Sequence, residues 1–294
     1  EMYAVPSTPQ NNGLTEKYIG TWLKQRTDRD KLVIATKITG PSENLKHIRY
    51  PLSFNKKQIH TALEASLKRL QTDYVDLYQL HWPERKTNYF GQRGYTHDPA
   101  WQDNILEVLQ VLDGLVKAGK IRNFGLSNET PWGLMRFLQE SQTHNLARCA
   151  SIQNPYSLLN RLFEVGLSEI AIREKTGLLA YSPMGFGLLS GKYHGNNKPT
   201  NGRLSLFPRM ARYSSENSYK ATEAYLAIAA DNGLSAAQLA LAFVNTRPFV
   251  TSNIIGATTM AQLKENIASI EVTLSSELLA AIETVHAQYP NTAP

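Results

Sequence analysis

A primary amine at Lys37, an imidazole at His81 and the hydroxyl or amide groups of Ser127, Asn128, Gln153, Asn154, Tyr181, Ser182 and Thr258 share one local context. Each ends or closely follows a short run of β-prone, mostly apolar residues. An amine in that position can attack a carbonyl carbon to form a Schiff base. The imidazole can donate or accept a hydrogen bond. Taken one at a time, these residues have ordinary explanations. A lysine stem lies along apolar surface with its ammonium in water, and serine and asparagine suit turns. Six successive runs ending in polar groups weigh more, because in α/β barrels the loops at the carboxyl ends of the strands build the active site.

The runs lie at 32–37, 75–80, 121–126, 150–153, 178–181 and 250–255. Amphipathic segments separate them, the clearest at 57–70, 104–117, 131–142, 162–175, 219–230, 236–246 and 260–270. A repeat of roughly thirty to forty residues is that of βα units. Nearly continuous apolarity predicts parallel strands covered on both faces. Asn55 and the pair Thr130-Pro131 have the form of helix starts, Ser235 with Gln238 that of a capping box, and Ser275 with Leu278 a weaker one. Gly119, Gly177 and Gly233 fall just past helix ends, where a left-handed residue is favoured. No glycine-rich linker or change of composition divides the chain, which predicts a single domain over residues 1–294. Six strands fall short of the eight in a closed (β/α)8 barrel. An open doubly wound sheet is the alternative, yet its G-x-G-x-x-G phosphate loop follows none of the runs.

Composition narrows the class. Of 294 residues, 42% are hydrophobic and 19% charged, which supports a sizeable core and excludes a disordered chain. Cys149 is the only cysteine, so an intramolecular disulfide and a cysteine-based zinc cluster are excluded, and a reducing, cytoplasmic compartment is expected. No run approaches the roughly 18 apolar residues of a membrane span. The formal charge is +6, but the densest basic stretches, Lys56-Lys57 and 203–212, hold no Lys/Arg run longer than two. That arrangement favours local sites for small anions over a nucleic-acid groove. No metal site, membrane partner or nucleic-acid partner is expected.

Several local sequences, in one order, resemble the aldo-keto reductase family. They are Ile34-Ala35-Thr36-Lys37, then Asp76-Leu77-Tyr78-Gln79-Leu80-His81-Trp82-Pro83, then Gly119-Lys120-Ile121-Arg122 leading to Gly125-Leu126-Ser127-Asn128. Gln153-Asn154-Pro155-Tyr156-Ser157 follows, and last Gly256-Ala257-Thr258 with Gln262, Glu265 and Asn266. The longer inserts are most similar to the bacterial Tas-like branch, and more distantly to the β subunits of voltage-gated potassium channels. The resemblance implies a (β/α)8 TIM barrel that uses NADPH to reduce aldehydes or ketones, with a catalytic Asp, Tyr, Lys and His. Glu1-Met2-Tyr3 is similar to the tyrosine end of that motif, so the aspartate is expected two residues before Glu1. The first two strands and first helix are then expected to be absent, leaving six parallel strands. The chain is expected to be incomplete at its N-terminus and a poor catalyst by itself.

On this resemblance the site residues follow. Tyr3 is the expected general acid, Lys37 the cation beside it and His81 the group that orients the carbonyl. Ser127, Asn128 and Gln153 are expected to hold the nicotinamide carboxamide, with Tyr181 stacked on the ring. Ser182, Pro183, Met184, Gly185, Gly187, Gly191, Lys192 and Arg203 belong to the loop expected over the pyrophosphate. Gly256, Thr258, Gln262, Glu265 and Asn266 match positions at the adenosine and its 2′-phosphate. Trp82, Tyr89, Phe90, Trp101, Tyr156 and Phe207 are expected to line the substrate pocket and suit an apolar or aromatic carbonyl compound. Two rival readings keep the fold or the lysine: an NADPH-binding regulatory subunit, and a Schiff-base lyase using Lys37.

Overall fold

Strands and helices alternate where continuous apolar runs give way to a helical spacing of apolar positions. The computed structural model describes the backbone of residues 1–294 and all side chains except those of Asn196, Pro208, Arg209 and Ala211. Arg209, within the basic stretch 203–212, therefore lies outside the described side chains. In chain order the elements are α1 (Leu14–Leu23), β1 (Ala35–Ile38), α2 (Lys56–Leu70), β2 (Val75–Leu80), α3 (Ile105–Lys117), β3 (Ile121–Ser127), α4 (Pro131–His144) and β4 (Ser151–Gln153). Then come α5 (Phe163–Arg173), β5 (Gly177–Ala180), the single turn α6 (Arg203–Leu206), α7 (Glu216–Asp231), α8 (Ala236–Asn245), β6 (Val250–Asn253), α9 (Met260–Ala268) and α10 (Ser276–Gln288). The six strands form one sheet in sequential order from β1 to β6, and β1–β2, β2–β3 and β5–β6 pair in parallel. This is the six-stranded α/β arrangement expected from the sequence.

Chain contacts divide the protein into two compact units, Glu1–Tyr89 with Arg93–Ile152, and Phe90–Gln92 with Gln153–Pro294. In the first, β2 is buried along its whole length. Helix α2 covers the sheet with Ile59, Ala62, Leu63, Ser66, Leu67 and Leu70, a buried stripe of helical period. Helix α1 crosses α2 at Gly20, where an added Cβ would meet the Arg69 carbonyl and lie 2.9 Å from Leu70 Cα. Gly20→Val is therefore expected to destabilise the unit by about 1–3 kcal/mol through overpacking against backbone that cannot move aside. A lowered urea midpoint at unchanged slope is the signature, and an unchanged midpoint would show that α1 does not dock so closely.

The second unit is built around α8, whose residues from Leu239 to Val244 are all buried. Phe243 stacks on Tyr156 with centroids 6.0 Å apart, and Tyr156 meets Phe249 edge-on at 5.2 Å. Tyr156 is thus a core residue and no pocket wall, because its ring is enclosed by these aromatics and its hydroxyl bonds to Glu164. No single helix among the described residues is long and apolar enough to cross a membrane, although α7 and α8 satisfy the length and composition together across a 96° bend.

Helix boundaries follow the capping chemistry. Asn55 Oδ1 accepts from the Gln58 amide at 3.0 Å, Thr130 Oγ1 from Gly133, Ser275 from Leu278, and Ser235 forms a reciprocal box with Gln238. Three expectations need correction. Gly177 does not end a helix: Lys175 takes the left-handed conformation at φ 52°, and Gly177 opens β5, where a Cβ would collide with Thr251 Oγ1 of β6. Strand β6 is not covered on both faces, since Thr251 and Ser252 are exposed and α9 buries no residue. The helix expected over 260–270 is α9 followed by a 3-10 turn at Ser269–Glu271, with Thr259 as its cap.

Candidate active site

Lys37 is the third residue of β1, in register with Gln79 of β2. Alternation along β1 sends Thr36 to the opposite face, where its hydroxyl donates to Glu16 and Arg69 Nε donates to the other Glu16 oxygen at 2.6 Å. Lys37 pairs with no carboxylate among the described residues. Burial alone lowers its pKa to about 8. An ammonium taken out of water without a counter-charge is easier to deprotonate.

His81 directly follows β2. Its amide donates to the Ile38 carbonyl at 3.1 Å, and its carbonyl accepts from Asn128 Nδ2 at 2.9 Å. The imidazole is only 6% exposed and packs on the Trp82 indole with centroids 4.7 Å apart. Its Nε2 lies 3.4 Å from the Tyr3 hydroxyl. Burial first, and then the nearby positive charge of Lys37, holds His81 well below the usual histidine range. The ring is therefore neutral near pH 7 and can donate through only one nitrogen. Tyr3, Lys37 and His81, chosen from sequence, are thus neighbours within the first unit. Ser127 ends β3, and Asn128 after it adopts φ 54° with both residues buried.

Sequence reasoning missed two contributors. The Glu1 carboxylate accepts from the Thr39 amide at 2.7 Å and from the Arg49 guanidinium, fixing the segment that leads to Tyr3. Nothing in the spacing of Glu1 and Arg49 signals this. Gln79 is fully buried with neither amide atom partnered among the described residues. Strand parity was the available signal, since Gln79 stands two residues before His81 and beside Lys37.

The second unit carries the remaining candidates. Gln153 ends β4. Tyr181 extends β5 by one residue, its carbonyl accepting from Tyr156 N and its amide donating to Asn154 O. Ser182 has φ 57°, and its hydroxyl accepts from Tyr213 at 3.2 Å. After Pro183 and Met184 comes a tight turn, Gly185–Ser190, in which Phe186 and Gly187 are both left-handed. A Cβ on Gly187 would sit 3.2 Å from Lys192 Nζ, and one on Gly185 3.0 Å from a Leu159 methyl. Gly191 closes the turn at φ 79°. The Arg203 guanidinium lies 4.0 Å over Phe186, which stacks on Tyr213. Burial and then the charge of Arg203 lower the Lys192 pKa, and neither cation pairs with a carboxylate among the described residues. Two close cations beside a glycine-lined turn are suited to an anion.

At the start of α9 the candidates bond to one another. The Thr258 amide donates to Gln262 Oε1 at 3.0 Å and its hydroxyl to the same oxygen at 3.1 Å, while Asn266 Nδ2 donates to the Gly256 carbonyl at 3.4 Å. Glu265 accepts from the Ser235 hydroxyl. The Thr258 amide is engaged within the chain here. No group of histidine, cysteine and carboxylate residues suited to a metal occurs among the described residues.

The first unit thus carries a lysine in one parallel strand and a His-Trp-Pro exit from the next, and the second a glycine-lined basic turn. The chain belongs to the Aldo/keto reductase family, whose profile matches residues 1–287. It is 53% identical to "Protein tas" of Escherichia coli (strain K12), over all of this chain and 86% of that protein. It is 40% identical to an "Aldo-keto reductase" of Babesia bovis, over 81% of this chain and 88% of that one. An "Uncharacterized oxidoreductase YrpG" of Bacillus subtilis (strain 168) is 32% identical over 94% of this chain and 78% of its own.

Proposed function

We propose that the protein reduces an aldehyde or ketone with NADPH, using Tyr3 as proton donor. The observation that carries this reading is the Tyr3 hydroxyl 3.4 Å from Nε2 of a buried, neutral His81. Bound NADPH supplies the hydride. Negative charge then grows on the carbonyl oxygen and needs a hydrogen-bond donor and a proton. A neutral imidazole donates one hydrogen bond to that oxygen. An ordinary tyrosine titrates near ~10, and positive charge at Lys37 makes its proton easier to give.

Family membership supports the nicotinamide roles of Ser127, Asn128, Gln153 and Tyr181, and the adenosine roles of Gly256, Thr258, Gln262, Glu265 and Asn266. The turn bearing Gly185 and Gly187, with Lys192 and Arg203, fits a phosphate because it offers close backbone approach and two cations with no carboxylate partner among the described residues. A cytoplasmic location is part of the same proposal, supported by the single, buried thiol of Cys149. The test is a fluorescence titration with both dinucleotides. NADPH is expected to bind at least about tenfold tighter than NADH, as one charge-assisted contact to the extra phosphate would give. Lys192→Met or Arg203→Met should weaken dinucleotide binding by a similar factor. Equal affinity for both dinucleotides would remove the 2′-phosphate assignment at the start of α9, and unchanged dinucleotide binding in the Lys192 and Arg203 variants would remove the pyrophosphate assignment.

A further inference from the structure

The register of β2 on β3 ends at Leu80 beside Leu126, so the sheet ladder does not hold the site residues that come next. Asn128 sits in the left-handed region, disfavoured for a residue with a Cβ, and is tied back to the His81 carbonyl. Beyond that bond the two loops meet again. Arg85, four residues past His81, donates Nη1 to Glu129 Oε2 at 3.1 Å and Nη2 to Glu129 Oε1, so the pair is bidentate. The Glu129 side chain is 4% exposed and that of Arg85 11%. Glu129 Oε1 also accepts from the Thr130 amide at 2.6 Å, and Arg85 Nη2 donates to Thr130 Oγ1 at 3.0 Å. The guanidinium lies 4.8 Å from the Trp132 ring and 6.0 Å from Trp101. Gly133 admits no Cβ, which would strike both Glu129 and Arg85.

A buried ion pair adds little net stability over a well-packed apolar pair, but its planar fork permits only one relative placement of its two segments. We infer that Arg85 and Glu129 are positioning residues that set the His81 loop against the Ser127-Asn128 loop, so that carbonyl orientation and nicotinamide contacts stay aligned. This rests on the reductase reading for the roles of His81 and Asn128. It makes the insert after β2 part of the catalytic geometry through its first residues.

The decisive variant removes both charges together, Arg85→Met with Glu129→Gln, which keeps volume and an acceptor for Thr130. Thermal unfolding should stay close to wild type, while kcat for NADPH oxidation with 4-nitrobenzaldehyde falls ~10–100-fold, as expected for misplaced reacting groups. KM for the aldehyde should change less than kcat. Arg85→Lys, which keeps charge but loses the fork, should fold normally and recover little of kcat. Histidine NMR supplies a readout independent of turnover. His81, held low by burial and by the charge of Lys37 in the wild type, should titrate at higher pH in the double variant. Wild-type kcat and an unchanged His81 titration in the folded double variant would overturn the inference. A wild-type protein that binds no dinucleotide and reduces no carbonyl would instead overturn the reductase reading, and the His81 titration would still decide the positioning role.

Discussion

Tyr3→Phe is expected to lower kcat for carbonyl reduction ~10²–10⁴-fold, the usual loss for a positioned general acid. NADPH affinity should be nearly unchanged, since the substitution removes one hydroxyl that faces His81. Lys37→Met should lower the rate comparably by a different route. It withdraws the positive charge that favours tyrosinate, so the proton leaves less readily. The two routes separate by pH. Lys37 has a pKa lowered to about 8, so its charge is present below that value and lost as pH rises through it. The wild-type rate should therefore fall above about pH 8, and Lys37→Met should lose that limb of the profile. Steady-state NADPH oxidation across pH measures both. Wild-type rates in both variants would remove the mechanism.

In the second unit, Arg161→Met is expected to produce the largest loss of stability. Arg161 is 6% exposed in its side chain and bridges Glu164 at 2.7 Å and Glu283 of α10 at 2.8 Å, while Tyr156 donates to the same Glu164. Breaking a fully buried pair costs about 3–5 kcal/mol. Glu164 and Glu283 are partly in water, so about 2–3 kcal/mol is expected here. Burial alone would raise the Glu164 pKa, but its bonds to Arg161 and Tyr156 prevail and lower it. A depressed carboxylate contributes stability above its unfolded value of 4.5, and loses it as pH falls through the folded value. Without Arg161 the folded value moves up, so acid unfolding should begin at higher pH. Urea denaturation at several pH values tests both parts, and an unshifted acid transition would show that Arg161 does not hold Glu164 ionised.

Local patterns made part of this molecule legible. The boundaries of β2 follow from its apolar run, and those of α2 from its stripe and from Asn55. Lys37 and His81 were readable because strand ends collect site residues, and the structure brings them together with Tyr3. Helix α1 escaped periodicity because its buried positions are Glu16, Gly20 and Leu23, a stripe held by an ion pair and a close approach instead of apolar side chains. Helix α10 buries only Leu278, Ile282 and Val285. The ties from Glu1 to Arg49 and from Arg85 to Glu129 join positions 48 and 44 residues apart, and such pairs leave no periodic trace. Strand β6 misled because a β-prone, partly apolar run was equated with burial.

That α9 buries no residue sets its free-energy scale apart from the rest of its unit. A nine-residue helix is too short to persist on propensity alone, and few interactions, among them the Ser235–Glu265 hydrogen bond, tie it to α8. Its opening is consequently a local event, reached far below the work needed to unfold the aromatic core around Phe243. Gln262, Glu265 and Asn266 ride on that element. A nucleotide bound there, as proposed, would have to hold the helix closed, so part of its intrinsic affinity would be consumed in ordering the receptor, and the bound form would be stiffer than the free one.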